Sequence, residues 1–197
     1  LKQEKNLTKE IRRAWPFAKK LFNKKKLNLN KLKFVNKLEE AVREVDFIQE
    51  CVTENYSLKT NLMHSIGKYA KPNAIISSSS SGLLPSRIYS KCNNPKRGMI
   101  GHPFNPVYIL PGVEIVPGRK TQKSYINKAK NFYKSISMNP LIVKKELSIS
   151  FVLYLFIFCF YNEKIFLWIN WIHWIGAHYS IRNRKVRWPI SRVLFPL

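Results

Sequence analysis

The sequence predicts an α/β domain built on a mostly parallel sheet, and three observations predict it. Short β-branched runs such as Ala74-Ile75-Ile76 and Val113-Glu114-Ile115-Val116 alternate with stretches whose apolar residues recur at helical spacing. That alternation continues through residues 32–147, as a sheet with crossover helices requires. Hydrophobic residues make up 45% of the 197, enough to bury a core and to exclude wholesale disorder.

In chain order, residues 1–31 are basic and helical in pattern, with Ile11, Trp15, Ala18 and Leu21-Phe22 on one face. Pro16 either kinks that helix or marks its first turn. Leu32-Lys33-Phe34-Val35 is a strand candidate. Asn36 is placed to cap a helix with Glu39 in its first turn and Leu38, Ala41 and Val42 inside it. Phe47-Ile48 is a second short strand, and Leu58, Leu62, Met63, Ile66 and Tyr69 share a helical face. Ala74-Ile75-Ile76 is a buried strand type, and Gly82-Leu83-Leu84 opens a turn or helix. Met99-Ile100 and Val113–Val116 are further strands. Thr121 is placed to cap a helix carrying Tyr125, Ile126, Ala129, Phe132, Tyr133 and Ile136, and Leu141-Ile142-Val143 closes the series.

The net charge of +24 raises the question of nucleic acid or anionic membrane. Its densest run, Lys24-Lys25-Lys26, lies among asparagines, and enrichment in both residues is the mark of compositional bias on a solvated surface. Charge by itself therefore assigns no nucleic-acid partner. Cys51, Cys92 and Cys159 match no metal or redox spacing, which excludes a disulfide framework and points to a reducing, cytoplasmic compartment. No apolar stretch follows the first residues, so no secretory leader is expected, and leucine at position 1 suggests that the true start is missing.

Two segments carry chemistry. In Gly101-His102-Pro103-Phe104-Asn105-Pro106-Val107 the prolines stiffen a loop at a strand end, where open α/β sheets place their ligands. A histidine there takes a proton near neutral pH, and a carboxylate such as Glu114 fixes its tautomer. A lone His near a Glu is more often incidental. Ser77–Ser81 before Gly82 offers hydroxyl donors, or else a flexible serine linker. His64, His173 and His178 have no comparable setting, and no metal set is apparent.

Together these segments resemble the 3-hydroxyacyl-CoA dehydrogenase family, and within it the carnitine dehydrogenase type. The resemblance rests on Arg12-Arg13-Ala14-Trp15-Pro16, Asp46-Phe47-Ile48-Gln49-Glu50, Glu54-Asn55, Ser78 through Ser86, and Gly101 through Val116. It covers roughly residues 11–146 and implies a Rossmann-like sheet, NAD as cofactor and a 3-hydroxy substrate. It implies a catalytic pair, His102 as base and Glu114 as its partner twelve positions on, with Ser81 beside the reacting oxygen. Glu54, Lys59, Ser81 and Asn105 match positions that contact the dinucleotide, although Glu54 and Lys59 also fit an ordinary solvated pair. The family is homodimeric.

Departures from the family are equally specific. None of Gly67, Gly82, Gly98, Gly101, Gly112, Gly118 and Gly176 forms the glycine-rich turn that receives a pyrophosphate, so the sheet is expected to be incomplete. The composition breaks near Ser148. Residues 148–197 hold half of the chain's aromatic residues, and no Pro-Gly-Phe entry to a helical domain is present. The expectation is thus a partial NAD-binding domain over 1–147 and an unrelated hydrophobic tail over 148–197. Within the tail, Phe151–Tyr161 and Ile165–Ala177 are apolar, each shorter than the roughly 20 residues that span a bilayer. A frameshift explains best why resemblance and composition change together; a membrane anchor and a poorly packed extension are the alternatives. At the level of the whole chain, an active dehydrogenase competes with an inactive product of a decayed gene and with a basic membrane-associated protein.

Overall fold

The computed structural model describes residues 2–23, 26–146 and the pair Arg192 and Val193. In chain order the elements are α1 (Lys2–Leu21), β1 (Lys33–Phe34), α2 (Leu38–Val42), β2 (Phe47–Glu50), α3 (Tyr56–Tyr69), β3 (Ile75–Ser78), α4 (Pro85–Ile88), β4 (Gly98–Pro103), β5 (Gly112–Pro117), α5 (Lys123–Ser135), β6 (Asn139–Ile142) and β7 (Arg192–Val193). The main sheet has the order β2-β3-β4-β5-β6, and β1 pairs separately with β7. β2, β3 and β4 run parallel, β5 runs antiparallel to β4, and β6 is parallel to β5. The expectation of a mostly parallel α/β sheet is met.

Strand parity sorts the core into two layers, because successive side chains point to opposite faces. Ile48, Ile76, Ile100 and Val116 pack with Met63 and Ile66 of α3 and Ile88 of α4. Ile75, Met99, Val113 and Ile115 pack with Ala129 and Tyr133 of α5 on the other face. Helices on both faces explain why the strands read as continuous apolar runs. The same parity puts Glu50, Ser78, His102 and Glu114 on the face of α3 and α4, beyond the apolar rows at the carboxyl ends of β2, β3 and β4.

Several local expectations need correction. Lys37, not Asn36, stands at the N-cap of α2, with no side-chain cap bond. Leu58 is exposed, and the inward face of α3 is Lys59, Met63, Ile66 and Gly67. Asn55 caps that helix through a bond from Leu58 N–H at 3.0 Å. Thr121 does not cap α5, because its hydroxyl donates to Gly98 O at 2.6 Å and accepts from Gly118 N at 2.9 Å. Pro16 lies in the interior of α1, not in its first turn. The serine run is no linker: Ser77 and Ser78 are buried strand residues. The apolar runs of the tail lie outside the described residues, and no helix among the described residues is long and apolar enough to cross a membrane.

Candidate functional site

His102 and Glu114 are direct cross-strand neighbours on β4 and β5. Opposed residues of an antiparallel pair share a face with Cβ atoms about 5 Å apart. Here that places imidazole Nδ1 3.4 Å from Glu114 Oε2. Glu114 has no exposed surface, whereas the His102 side chain is 21% exposed. The buried carboxylate therefore meets Nδ1, and Nε2 makes no hydrogen bond with the described residues. With the proton held on Nδ1, the lone pair of Nε2 is the available base. A contact of 3.4 Å is long, as such bonds often are before substrate arrives.

The serine turn stands at the end of β3, beside β4 in register (Ser78 opposite Ile100). Its shape comes from one carboxylate. Glu54 Oε1 accepts from Ser80 Oγ at 2.6 Å, Ser81 N–H at 3.1 Å and Gly82 N–H at 3.0 Å. Partial burial pushes the Glu54 carboxyl up, but the bonds from Ser80 and Gly82, the Lys59 ammonium and the Ser81 amide outweigh it and hold it below the usual range. Ser81 itself is exposed at the tip of the turn.

Lys59 is buried, with 1% of its side chain exposed. Its ammonium donates to Glu50 Oε1 at 2.8 Å, Glu50 Oε2 at 3.1 Å and Val52 O at 2.9 Å, and lies 3.6 Å from Glu54 Oε2. All three protons have partners inside the protein. Asn105 is exposed in the loop after β4 and precedes a cis bond to Pro106. The structure thus brings together His102 with Glu114, and Glu54 with Lys59 and the backbone of Ser81.

Sequence reading missed four contributors. Glu50, 4% exposed, accepts from Lys59, from Val52 N–H and from Ser78 Oγ, the last at 2.5 Å. Ser78, Gln49 and Tyr133 complete the set. The signal for Glu50 was a carboxylate at an inward strand parity, visible once Ile48 was assigned to the core. Burial pushes the Cys51 thiol up against its hydrogen bond with Ser79, so Cys51 offers no thiolate.

The glycines test the fit to a dinucleotide. A Cβ at Gly67 would meet Cys92, at Gly98 Tyr89, at Gly101 Tyr133, at Gly112 Phe104 and at Gly118 the backbone of Ser86. These five glycines are packed closely against neighbouring side chains or backbone. The serine turn follows β3 and His102 lies near the end of neighbouring β4, and the strand ends of open α/β sheets are where such folds place their ligands.

Comparisons with known proteins agree with this fold. Residues 2–147 match the family model for the 3-hydroxyacyl-CoA dehydrogenase, NAD binding domain. The L-carnitine dehydrogenase of Pseudomonas putida is 48% identical over 143 residues, covering 73% of this chain and 44% of the relative. That of Oceanobacillus iheyensis is 42% identical over 137 residues, covering 70% and 45%. The chain thus spans less than half the length of the curated relatives it matches. Among solved structures, an NAD+-dependent 5-formyl-3-hydroxy-2-methylpyridine 4-carboxylic acid 5-dehydrogenase superposes with a TM-score of 0.70 at 22% identity, over 84% of this chain and 53% of the other, which shows the shared fold.

Proposed function

The chain belongs to the 3-hydroxyacyl-CoA dehydrogenase family through its NAD binding domain, and from that premise we propose that it carries the proton-transfer centre of an NAD-dependent oxidation of a 3-hydroxy group, with carnitine as the favoured substrate. The supporting observation is the cross-strand pair of buried Glu114 and partly exposed His102. His102 Nε2 accepts the hydroxyl proton of the substrate. Glu114 keeps the Nδ1 proton in place and offsets the positive charge that the ring gains. NAD, when bound, would accept the hydride from the carbon that bears this hydroxyl. Ser81 would hydrogen-bond near the reacting oxygen and the cofactor, and Asn105 would contact the dinucleotide. Glu54 and Lys59 serve the cofactor by holding the serine turn in shape. L-Carnitine is favoured because relatives of 40% identity and more bear that name.

Incubating the full chain with NAD and either carnitine or a 3-hydroxyacyl-CoA, and following NADH absorbance, tests this reading. NADH formation that falls at least about a hundredfold in His102→Gln is expected, the usual worth of a general base. Turnover unaffected by that substitution would sink it.

A second reading has its own observation: Gly67, Gly98, Gly101, Gly112 and Gly118 all lie against neighbouring side chains or backbone. On that reading the chain retains the proton-transfer pair without binding NAD. Calorimetry that finds micromolar NAD binding by this chain would overturn it.

A further inference from the structure

The two segments of the proposed site, the serine turn and the histidine strand, are joined by one side chain that neither segment contains. Gln49 lies on β2, and β3 separates it from β4. Its amide nitrogen nevertheless donates to Ser79 Oγ at 2.7 Å and to Gly101 O at 3.0 Å. Ser79 begins the turn that ends in Ser81, and Gly101 is bonded to His102. Both protons of one amide group are therefore spent on the two segments that must face a common substrate.

The oxygen of the same amide is held as well. Tyr133 Oη donates to Gln49 Oε1 at 2.6 Å. A tyrosine has one proton, so the 2.9 Å contact between Ser77 Oγ and Tyr133 Oη is a bond donated by the serine. The order of donors is then fixed: Ser77 to Tyr133, Tyr133 to Gln49, and Gln49 to Ser79 and Gly101. Tyr133 is 2% exposed, and burial pushes its hydroxyl up, so it keeps that proton at ordinary pH. The side chain crosses β3 over Ser77, where a larger residue would stand in its way. A Cβ at Gly101 would come within 2.0 Å of Tyr133 Oη and 2.2 Å of Ser77 Oγ. Three positions on three elements are thus shaped around one amide.

We propose that Gln49, held by Tyr133, is a positioning residue that fixes the separation between the serine turn and His102. The role rests on the reading that these two segments serve one reaction. The residue touches neither substrate nor cofactor; it acts through Ser79 and through the carbonyl before His102.

Hydrogen exchange of the full chain, wild type against Gln49→Leu and Gln49→Glu, tests the proposal without cofactor or alcohol. A chain that proves unable to reduce NAD therefore leaves the result readable. Gln49→Glu keeps the acceptor for Tyr133 and loses both donors; it also serves if the leucine variant fails to fold. In both variants, exchange at the amides of Ser79–Gly82 and His102 is expected to rise about tenfold, the factor that corresponds to one lost hydrogen bond. Exchange at Met63 and Ile66 of α3 stays the same. The ring-carbon resonance of His102, which reports its contact with Glu114, shifts in the leucine variant. Tyr133→Phe, which frees the amide oxygen and the Ser77 hydroxyl but keeps both amide donors of Gln49, gives a smaller change at the same amides. Unchanged exchange at both segments overturns the proposal. So does a uniform rise over all strands with an unmoved His102 resonance, because that pattern is loss of stability alone.

Discussion

Glu114 sits where water cannot reach it and faces the His102 ring across the ladder. Replacing it with glutamine keeps the shape and removes the charge that offsets an imidazolium. We expect Glu114→Gln to lower kcat for NADH formation by roughly 10²–10⁴-fold with little change in KM, read by steady-state kinetics. Glu54 makes a different prediction. Its folded carboxyl titrates below the ordinary value of 4.5. A depressed carboxylate contributes stability that is present above its unfolded value and lost as pH falls through the folded one. Acidification below 4.5 should therefore loosen the serine turn before the sheet, seen as faster exchange at Ser80–Gly82; a turn that outlasts the sheet in acid would contradict this. The pairing of His102 and Glu114 was legible through the family resemblance alone, since the spacing by itself does not show that a histidine and a glutamate face each other across a ladder. Gln49 was not, since nothing in its neighbours along the chain shows that it reaches across β3.

Among the elements, α3 bears the largest electrostatic commitment. Its Lys59 is paired with Glu50 where neither side chain has more than 2% of its surface exposed. Breaking such a pair strands a buried charge, at a cost of roughly 3–5 kcal/mol. Lys59→Met should lower stability by that order in denaturant unfolding, and adding Glu50→Gln should recover part of the loss. A single variant as stable as wild type would show that the ion pair holds nothing. At the end of the same helix, buried Arg97 donates to the carbonyls of Lys71 and, at 3.1 Å, Gly67. These bonds satisfy acceptors that a helix end and the following loop leave open. Each strand of the sheet was readable as a short apolar run, but β4 continues through His102 and Pro103, which the sequence placed in a loop, because pairing with β5 extends the ladder past the apolar residues. Caps were not: Asn36 and Thr121 have suitable side chains, but tertiary contacts decide whether a hydroxyl or amide meets a helix end or, as with Thr121, a neighbouring strand. The inward face of α3 was misjudged at Leu58 for a related reason, since the lysine beside it turns inward to meet Glu50.

Across the whole molecule, the sheet order explains why distant segments meet. Parallel β2, β3 and β4 end on one side, and the reversal at β5 brings Glu114 back to that side opposite His102. One turn of chain direction thus converts a spacing in sequence into a pair in space. The α/β class was legible at this scale. The tail was legible as a change of composition only, because apolar runs without flanking turn signals specify no partner to pack against. The account predicts a definite protonation state at its centre. In ¹⁵N spectra of the full chain, recorded where the ring is neutral, His102 should carry its proton on Nδ1 and leave Nε2 bare. A proton on Nε2 would mean that the ring has no lone pair to offer an alcohol, and the proposed role of the His102–Glu114 pair would fall.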